Sequence, residues 1–335
     1  MKQQEFFTSR WSFVISTLGI AVGTGNIWRF SRIVAQNGGG SFLIPWVIFL
    51  LIWSVPLIIA EFALGKMSRK GPLGAIAHTA GNKFGWMGGY IAFVSTAIMF
   101  YYSIVTGWCI YYLISAVSGN LFTAPDHLQL WESFSNSYWP VFFHFIAILF
   151  SAFIIYRGVV NGIEKANKVL VSSLLIILII LLFRAVTLPN ASEGLKYFFT
   201  PQIDYLLDYK VWLSALTQNA WDTGAGWGLI LTYAVYMRRN EDIPLNASLI
   251  GFGNNSISLI AGIIIFSTVF ALSGSEAMDV ISQSGPANTG LTFIYLPLLF
   301  SKMSSSPAIN YIFGVMFFLA LTSAAISSLI SLVEL

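Results

Sequence analysis

The 335-residue chain is 56% hydrophobic and 16% aromatic, but only 9% charged. Soluble domains carry roughly 25% charged residues, so this composition belongs to an integral membrane protein. A net charge of +3, spread along the chain, points away from nucleic acid, and the single cysteine, Cys109, excludes a disulfide framework and a thiolate metal site. The histidines His78, His127 and His144 lie in different segments and show no ligand spacing. The apolar run from Trp11 has no A-x-A site and does not read as a cleavable signal peptide.

In chain order, eight apolar segments can cross a hydrocarbon core of about 30 Å, which takes ~20 residues. These spans 1 to 8 are read at 11–36, 41–65, 86–118, 140–157, 166–188, 211–237, 246–273 and 307–333. With the N-terminus cytoplasmic, the inner side receives Lys2, Arg10, Lys66, Arg69, Lys70, Lys83, Arg157, Lys165, Lys168, Arg238 and Arg239. The outer side keeps Arg29, Arg32, Arg184, Lys196, Lys210 and Lys302. That excess supports a multi-pass protein with its N-terminus inside the cell membrane. The outer segments 189–210 and 274–306, the latter with Gly285-Pro286, are expected to fold as short caps over a vestibule. The last residue, Leu335, follows directly on an apolar run, an ending that reads as truncated.

Span 1 contains Gly19-Ile-Ala-Val-Gly23-Thr-Gly25-Asn26-Ile-Trp28-Arg29-Phe30. Three glycines weaken the helix where the bilayer is driest, and backbone groups freed there cost several kcal/mol unless something binds them. Span 6 repeats the feature in Gln218-Asn219-Ala-Trp221-Asp222-Thr223-Gly224-Ala-Gly226-Trp227-Gly228, with a carboxylate well inside the span. Gly19-xxx-Gly23 and Gly224-xxx-Gly228 also fit the small-xxx-small packing pattern. Their pairing at corresponding positions, five spans apart and each beside polar residues, favours discontinuous helices of an inverted-repeat transporter. An ionised carboxylate at this depth costs ~3 kcal/mol and marks an ion path by default. The sequence offers Asp222 no Lys or Arg partner at matching depth. Trp221 and Trp227, flanking the break, read as pocket walls. Tyr101-Tyr102 and Thr322-Ser323 carry little signal alone, since membrane Ser and Thr most often bond back to their own helix.

Taken together these stretches resemble the neurotransmitter:sodium symporters, in their bacterial amino-acid-transporting branch. The resemblance runs from about residue 5 to the end. It rests on Gly25-Asn-Ile-Trp-Arg-Phe30, Asn37-Gly-Gly-Gly-Ser-Phe-Leu-Ile-Pro45, Glu61-Phe-Ala-Leu-Gly65, Gly162-Ile-Glu-Lys-Ala-Asn-Lys168, the span 6 break and Leu321-Thr-Ser323. It implies an all-α integral membrane protein with the inverted-repeat leucine-transporter fold. Helices 1–8 are present, helices 1 and 6 are discontinuous, and the second repeat is incomplete. Residues 1–188 would form the first five-helix repeat, and 189–335 an outer loop with part of the second.

The resemblance further implies two sodium sites. The first falls on Ala21, Asn26, Asp222 and Asn254, and the second on Gly19, Val22, Leu319, Thr322 and Ser323. Oxygen ligands suit a hard cation. A substrate carboxylate would meet Thr24, Gly25 and Tyr102, aided by the helix dipole. Gly23 stands where monoamine carriers place an Asp, which favours an amino acid. Ile20, Ile98, Trp221, Gly224, Trp227 and Ser327 would line the pocket, with Tyr102 and Trp221 as its lid and Arg29 as half of an outer gate. Asp222 replaces the Ser or Thr shared with the family's chloride site. The rest of that site is Gln218, Asn254 and Ser258, with Trp46 in place of Tyr. A fixed carboxylate supplies the charge chloride would bring, so no chloride is expected. Gln4 and Phe7 replace the inner gate's usual Arg and Trp, and the outer-gate Asp opposite Arg29 is missing with helices 9 and 10.

The expected function is sodium-coupled import of an amino acid by alternating access. A binding or sensing protein without transport, or an inactive fragment, is the alternative. An enzyme is disfavoured because no nucleophile–base pair, metal cluster or phosphate loop is present. A channel is disfavoured because no pore loop repeats.

Overall fold

The computed structural model describes residues 5–282 and 289–335, and Lys2, Gln4 and the Gly285-Pro286 pair lie outside the described residues. All eight expected spans are present as helices. Six are long apolar helices: Gly40–Ser68, Asn82–Val117, Trp139–Tyr156, Val159–Val186, Ile243–Ser282 and Pro307–Glu334. The other two are interrupted. Span 1 runs as Arg10–Ala21, loses helical form at Val22 and Gly23, and resumes through a wide π-turn, Gly25–Arg29, into Phe30–Gln36. Span 6 runs as Tyr209–Asp222 and resumes at Leu229–Ala234. Interruptions in the first and sixth of eight helices are the arrangement that the resemblance implies.

Local chemistry explains where these elements start and stop. Ser9 caps span 1 by accepting from the Ser12 N–H, and Asp242 caps span 7 by accepting from Leu245 N–H at 2.9 Å. Span 2 ends on Arg69 in the left-handed region, with Gly71-Pro72 opening the next helix. At the span 6 break, Gly224, Gly226 and Gly228 take φ of +65°, +90° and +76°, which side chains tolerate poorly.

Burial sorts the spans into centre and periphery. Span 8 is 78% buried over its most apolar window, against 22% for span 4, so span 8 is the axis and span 4 a lipid-facing flank. The hydrophobic interior is divided in two. One cluster gathers Phe30, Trp46, Tyr112, Phe198 and Phe293. The other, toward the N-terminus, gathers Phe7, Phe13, Phe62, Tyr233 and Ile330. The breaks of spans 1 and 6 fall at the seam between them.

The segments expected to cap one end do so. Helices Ala191–Phe199 and Ile203–Leu207 dock on spans 1, 2 and 7, where Phe198 packs on Phe30 of span 1 and Phe266 of span 7, and Gln202 N–H donates to Ser41 Oγ of span 2 at 2.7 Å. Phe293, in the Leu291–Tyr295 turn, stacks on Trp131 and meets Trp28 and Tyr112.

At the other end the N-terminal segment is clamped. Phe7 is 1% exposed among Phe13, Tyr233 and Tyr236, and its N–H donates to Tyr236 O at 3.2 Å. Thr8 N–H donates to Glu164 Oε2 at 2.9 Å, its hydroxyl donates to Glu164 Oε1, and Val159 N–H donates to Glu5 Oε2 at 2.7 Å. Glu241 joins Arg10 at 3.0 Å and Arg238 at 2.8 Å. An ion-pair cluster therefore ties the start of span 1 to the segment between spans 6 and 7.

Burial pushes the Glu241 carboxyl up, but the hydrogen bonds from Arg238 and Arg10 outweigh it and hold the group below the usual glutamate range. Its stabilisation is present above the ordinary glutamate pKa of ~4.3 and is lost as pH falls through the lowered folded value. Both arginines are 39% exposed, so the cluster contributes about 1 kcal/mol. Glu241→Gln should speed amide hydrogen exchange at Phe7–Arg10 by roughly fivefold at pH 7. Wild-type rates in the variant would rule out the clamp.

Candidate functional site

At the span 1 break the backbone turns its free groups inward. The carbonyls of Gly19, Ile20 and Val22 converge on Ser328, whose hydroxyl lies 3.1, 3.2 and 3.2 Å from them. One hydroxyl hydrogen therefore faces three carbonyl oxygens, a concentration of negative potential suited to a cation. Just beyond, Gly23 N–H donates to Asn26 Oδ1 at 2.8 Å, and Thr24 N–H donates to Tyr102 Oη at 3.2 Å. The Asn26 amide donates to Asn254 Oδ1 at 2.7 Å and to Ser258 Oγ at 2.8 Å, which ties the π-turn to span 7. Asn26 and Asn254 are 1% and 0% exposed.

The span 6 break is held from span 2. Glu61 Oε1 accepts from Gly226 N–H and Gly228 N–H, each at 3.0 Å. This carboxylate satisfies donors that the missing helical turn leaves unpaired. Glu61 was read only as part of a motif, although a lone carboxylate in an apolar run is the same signal that singled out Asp222. Close approach adds to the anchoring: a Cβ on Gly65 would stand 2.3 Å from Leu231 O.

Asp222 is 2% exposed. Its Oδ2 accepts from Gln218 Nε2 at 2.6 Å, and its Oδ1 has no hydrogen-bond partner. Gln218 in turn accepts, through Oε1, a hydrogen bond from Arg29. The absence of a cationic partner expected from the sequence is thereby corrected, because one amide links the guanidinium to the carboxylate. Arg29 also lies over the Trp221 ring, 5.4 Å from its centroid, a cation–π geometry. Trp221 meets Trp227 edge-on at 5.2 Å.

Between the two breaks lies a cavity of about 40 Å³. Of the residues expected around a substrate, Ile20, Gly23, Gly25, Tyr102, Trp221, Gly224 and Trp227 line it, together with Ala21, Asn26 and Asp222. Thr24 stands behind the wall, 3% exposed, with its N–H on Tyr102. Ile98 does not line this cavity; it lies with Tyr90 and Val94 in a second pocket that shares only Trp227 with the first.

Span 8 requires the largest correction. Leu319, Thr322 and Ser323 do not reach the break. Leu319 is 40% exposed, and the Thr322 hydroxyl donates to Cys109 O of span 3 at 3.0 Å. Ser328 takes the place expected of Ser323, and Leu332 supplies the wall expected of Ser327. Ser327 instead packs beside Gly19, where its Cβ would be 3.3 Å from a Cβ on that glycine, and donates to Ala324 O at 3.0 Å. The physical reason is a repeat within the span: Ala320-Leu-Thr-Ser323 recurs as Ala325-Ile-Ser-Ser328. Five residues advance a helix by about 7.5 Å and turn it to another face, so only one copy can meet span 1.

A sequence profile of the sodium:neurotransmitter symporter family matches residues 4–138 and 125–335. The chain belongs to this family. A sodium-dependent transporter of Methanocaldococcus jannaschii, itself uncharacterised, is 34% identical over 99% of the chain, which spans 68% of that relative. A sodium-dependent serotonin transporter of Drosophila melanogaster is 29% identical over 98% of the chain and 58% of its own length. The crystal structure of MhsT in complex with L-phenylalanine matches with a TM-score of 0.87 at 33% identity, over 99% of this symporter-family chain and 73% of MhsT. The relatives are transporters rather than enzymes.

Of the three glycines that line the symporter-family cavity, Gly23 has the least room. A Cβ there would stand 2.7 Å from Tyr102 Oη and 3.0 Å from Ser328 Oγ, at the junction of the two polar clusters. Gly23→Ala should therefore lower sodium-dependent ligand affinity at least tenfold, ~1.4 kcal/mol, with the protein still folded by size exclusion in detergent. Unaltered affinity would show that the cavity opens wider in use than its walls permit here.

Proposed function

We propose that the protein is a sodium-coupled symporter that imports an amino acid through the cell membrane, with its N-terminus cytoplasmic. The observation that carries this reading is the pairing of two unmet demands in one cavity: converging carbonyls at the span 1 break, and a buried carboxylate oxygen without a partner in span 6. Sodium is the co-substrate that answers both.

The first sodium would be held by Ala21 O, Asn26 Oδ1, Asn254 Oδ1 and Asp222. The second would be held by Gly19 O, Val22 O and Ser328 Oγ, joined from span 8 by Ala324 O and Ser327 Oγ. Oxygen-only donor sets of this kind fit a hard cation. The amino-acid carboxylate would bind the N–H groups of Thr24 and Gly25 and the Tyr102 hydroxyl, at the positive end of the resumed helix. Gly23 leaves no room for a side-chain carboxylate directed at an amine, which supports an amino acid over a monoamine. The complex of MhsT with L-phenylalanine is in keeping with this class. Ile20, Trp221, Trp227 and Leu332 would then face the side chain.

Each group has a part in coupling. Sodium in the first site sits against the π-turn and span 6, and so completes the floor under the substrate carboxylate. Arg29, held over Trp221, closes the outer side, while the Arg10–Glu241–Arg238 cluster closes the cytoplasmic side. Asp222 brings a permanent negative charge to the first site, which makes transport independent of chloride.

Proteoliposome uptake of radiolabelled amino acids tests the reading. Uptake should require an inward sodium gradient and persist when gluconate replaces chloride. Binding without flux would instead favour a sensor, and collapse in gluconate would remove the role given to Asp222. Asp222→Asn should raise the sodium concentration for half-maximal binding about tenfold, or make uptake chloride-dependent. A variant with wild-type dependence on both ions would count against it.

A further inference from the structure

We propose that Asn167 of span 5 supplies an additional oxygen ligand to the sodium ion of the second site. The inference rests on the two-site reading above and adds a residue from an element that reading does not use.

Asn167 is fully buried, and neither its amide oxygen nor its amide nitrogen has a hydrogen-bond partner. A buried amide in this state is unusual, since buried polar groups are nearly always paired. Its oxygen lies against the last helical turn before the span 1 break: a Cβ on Gly19 would stand 2.8 Å from Asn167 Oδ1 and 3.3 Å from Ser327 Cβ. Spans 1, 5 and 8 thus meet at Gly19, the residue whose carbonyl receives the Ser328 hydroxyl at 3.1 Å. Asn167 accordingly lies beside Gly19, whose carbonyl belongs to the oxygen cluster.

A second orphan lies against the same amide. The Tyr233 hydroxyl of span 6 also has no hydrogen-bond partner, although it interacts with Asn167. A cation accepted by Oδ1 would leave Nδ2–H free to donate to the Tyr233 hydroxyl oxygen. A bound ion then gives Asn167 Oδ1 the partner it lacks, while the other end of the same amide faces the Tyr233 hydroxyl. A neutral amide oxygen suits this position, because it ligates a monovalent cation without adding a charge that would have to be neutralised when the site empties. It also links the second site directly to span 5 and, through Tyr233, to the lower half of broken span 6.

The test is thermal stabilisation of the detergent-purified protein by sodium alone, with choline chloride holding ionic strength constant and lithium chloride as a parallel titration. Wild type, Asn167→Ala, Asn167→Ser and Asn167→Asp are compared, each also in an Asp222→Asn background that weakens the first site. Asn167→Ala removes only an unpaired amide, and Asn167→Ser keeps a small oxygen should the cavity destabilise the alanine variant. The expected result is a rise of at least fivefold in the sodium midpoint for Asn167→Ala, a smaller rise for Asn167→Ser, and a midpoint at or below wild type for Asn167→Asp. The lithium-to-sodium ratio should change in step, and the pattern should persist in the Asp222→Asn background. Midpoints within twofold of wild type in the alanine and serine variants, or a loss in Asn167→Asp equal to that in Asn167→Ala, would overturn the proposal. Wild-type protein without any sodium response would instead overturn the two-site reading itself.

Discussion

Everything at the centre of this molecule follows from backbone that is unwound where water is scarce. Between the two hydrophobic clusters, spans 1 and 6 each give up a helical turn, and the groups released must be met from inside the protein. Ser328 meets the carbonyls of Gly19, Ile20 and Val22; Glu61 meets the N–H groups of Gly226 and Gly228; Asn26 folds back on Gly23. These substitutes come from spans 2 and 8 as well as from the broken helices. The breaks therefore fix how the rest of the bundle must pack, rather than being tolerated by it.

The remaining architecture supports that seam. Span 8, the most enclosed helix, presents a hydroxyl to span 1. Span 7 presents Asn254 and Ser258 to the π-turn, and the terminal segment before span 1 is pinned by Glu164, Glu241 and Tyr236. Span 1 is thus clamped at its N-terminal end, covered by the 189–210 segment at the other, and bonded at the break to spans 3, 7 and 8. The site thus lies between the two well-packed clusters.

Much of this was legible in the sequence, for a physical reason. Apolar length marks a membrane helix almost directly, so all eight spans were read within a few residues, apart from the ends of spans 5 and 7. Glycines beside polar residues in such a helix have few explanations, so both breaks were read as well. Register was another matter. Ala320–Ser323 and Ala325–Ser328 have the same order of small, branched and hydroxyl side chains, and nothing local distinguishes them. What selects Ser328 is contact with span 1, more than three hundred residues earlier in the chain. The link from Arg29 to Asp222 was hidden likewise, because it passes through Gln218 and needs the two broken helices side by side.

That link has an electrical consequence. Gln218 holds one full positive and one full negative charge at opposite ends of a neutral amide, so the Arg29–Gln218–Asp222 chain has no net charge. A monovalent ion entering beside Asp222 would then leave one uncancelled positive charge in the bilayer, and a zwitterionic companion would not alter that sum. With the second site filled as well, the loaded and empty forms would differ by two charges in the transmembrane field, where each elementary charge is worth about 2.3 kcal/mol per 100 mV. Voltage, as well as concentration, would then act on the bound ions, because the glutamine-bridged pair leaves their charge uncancelled.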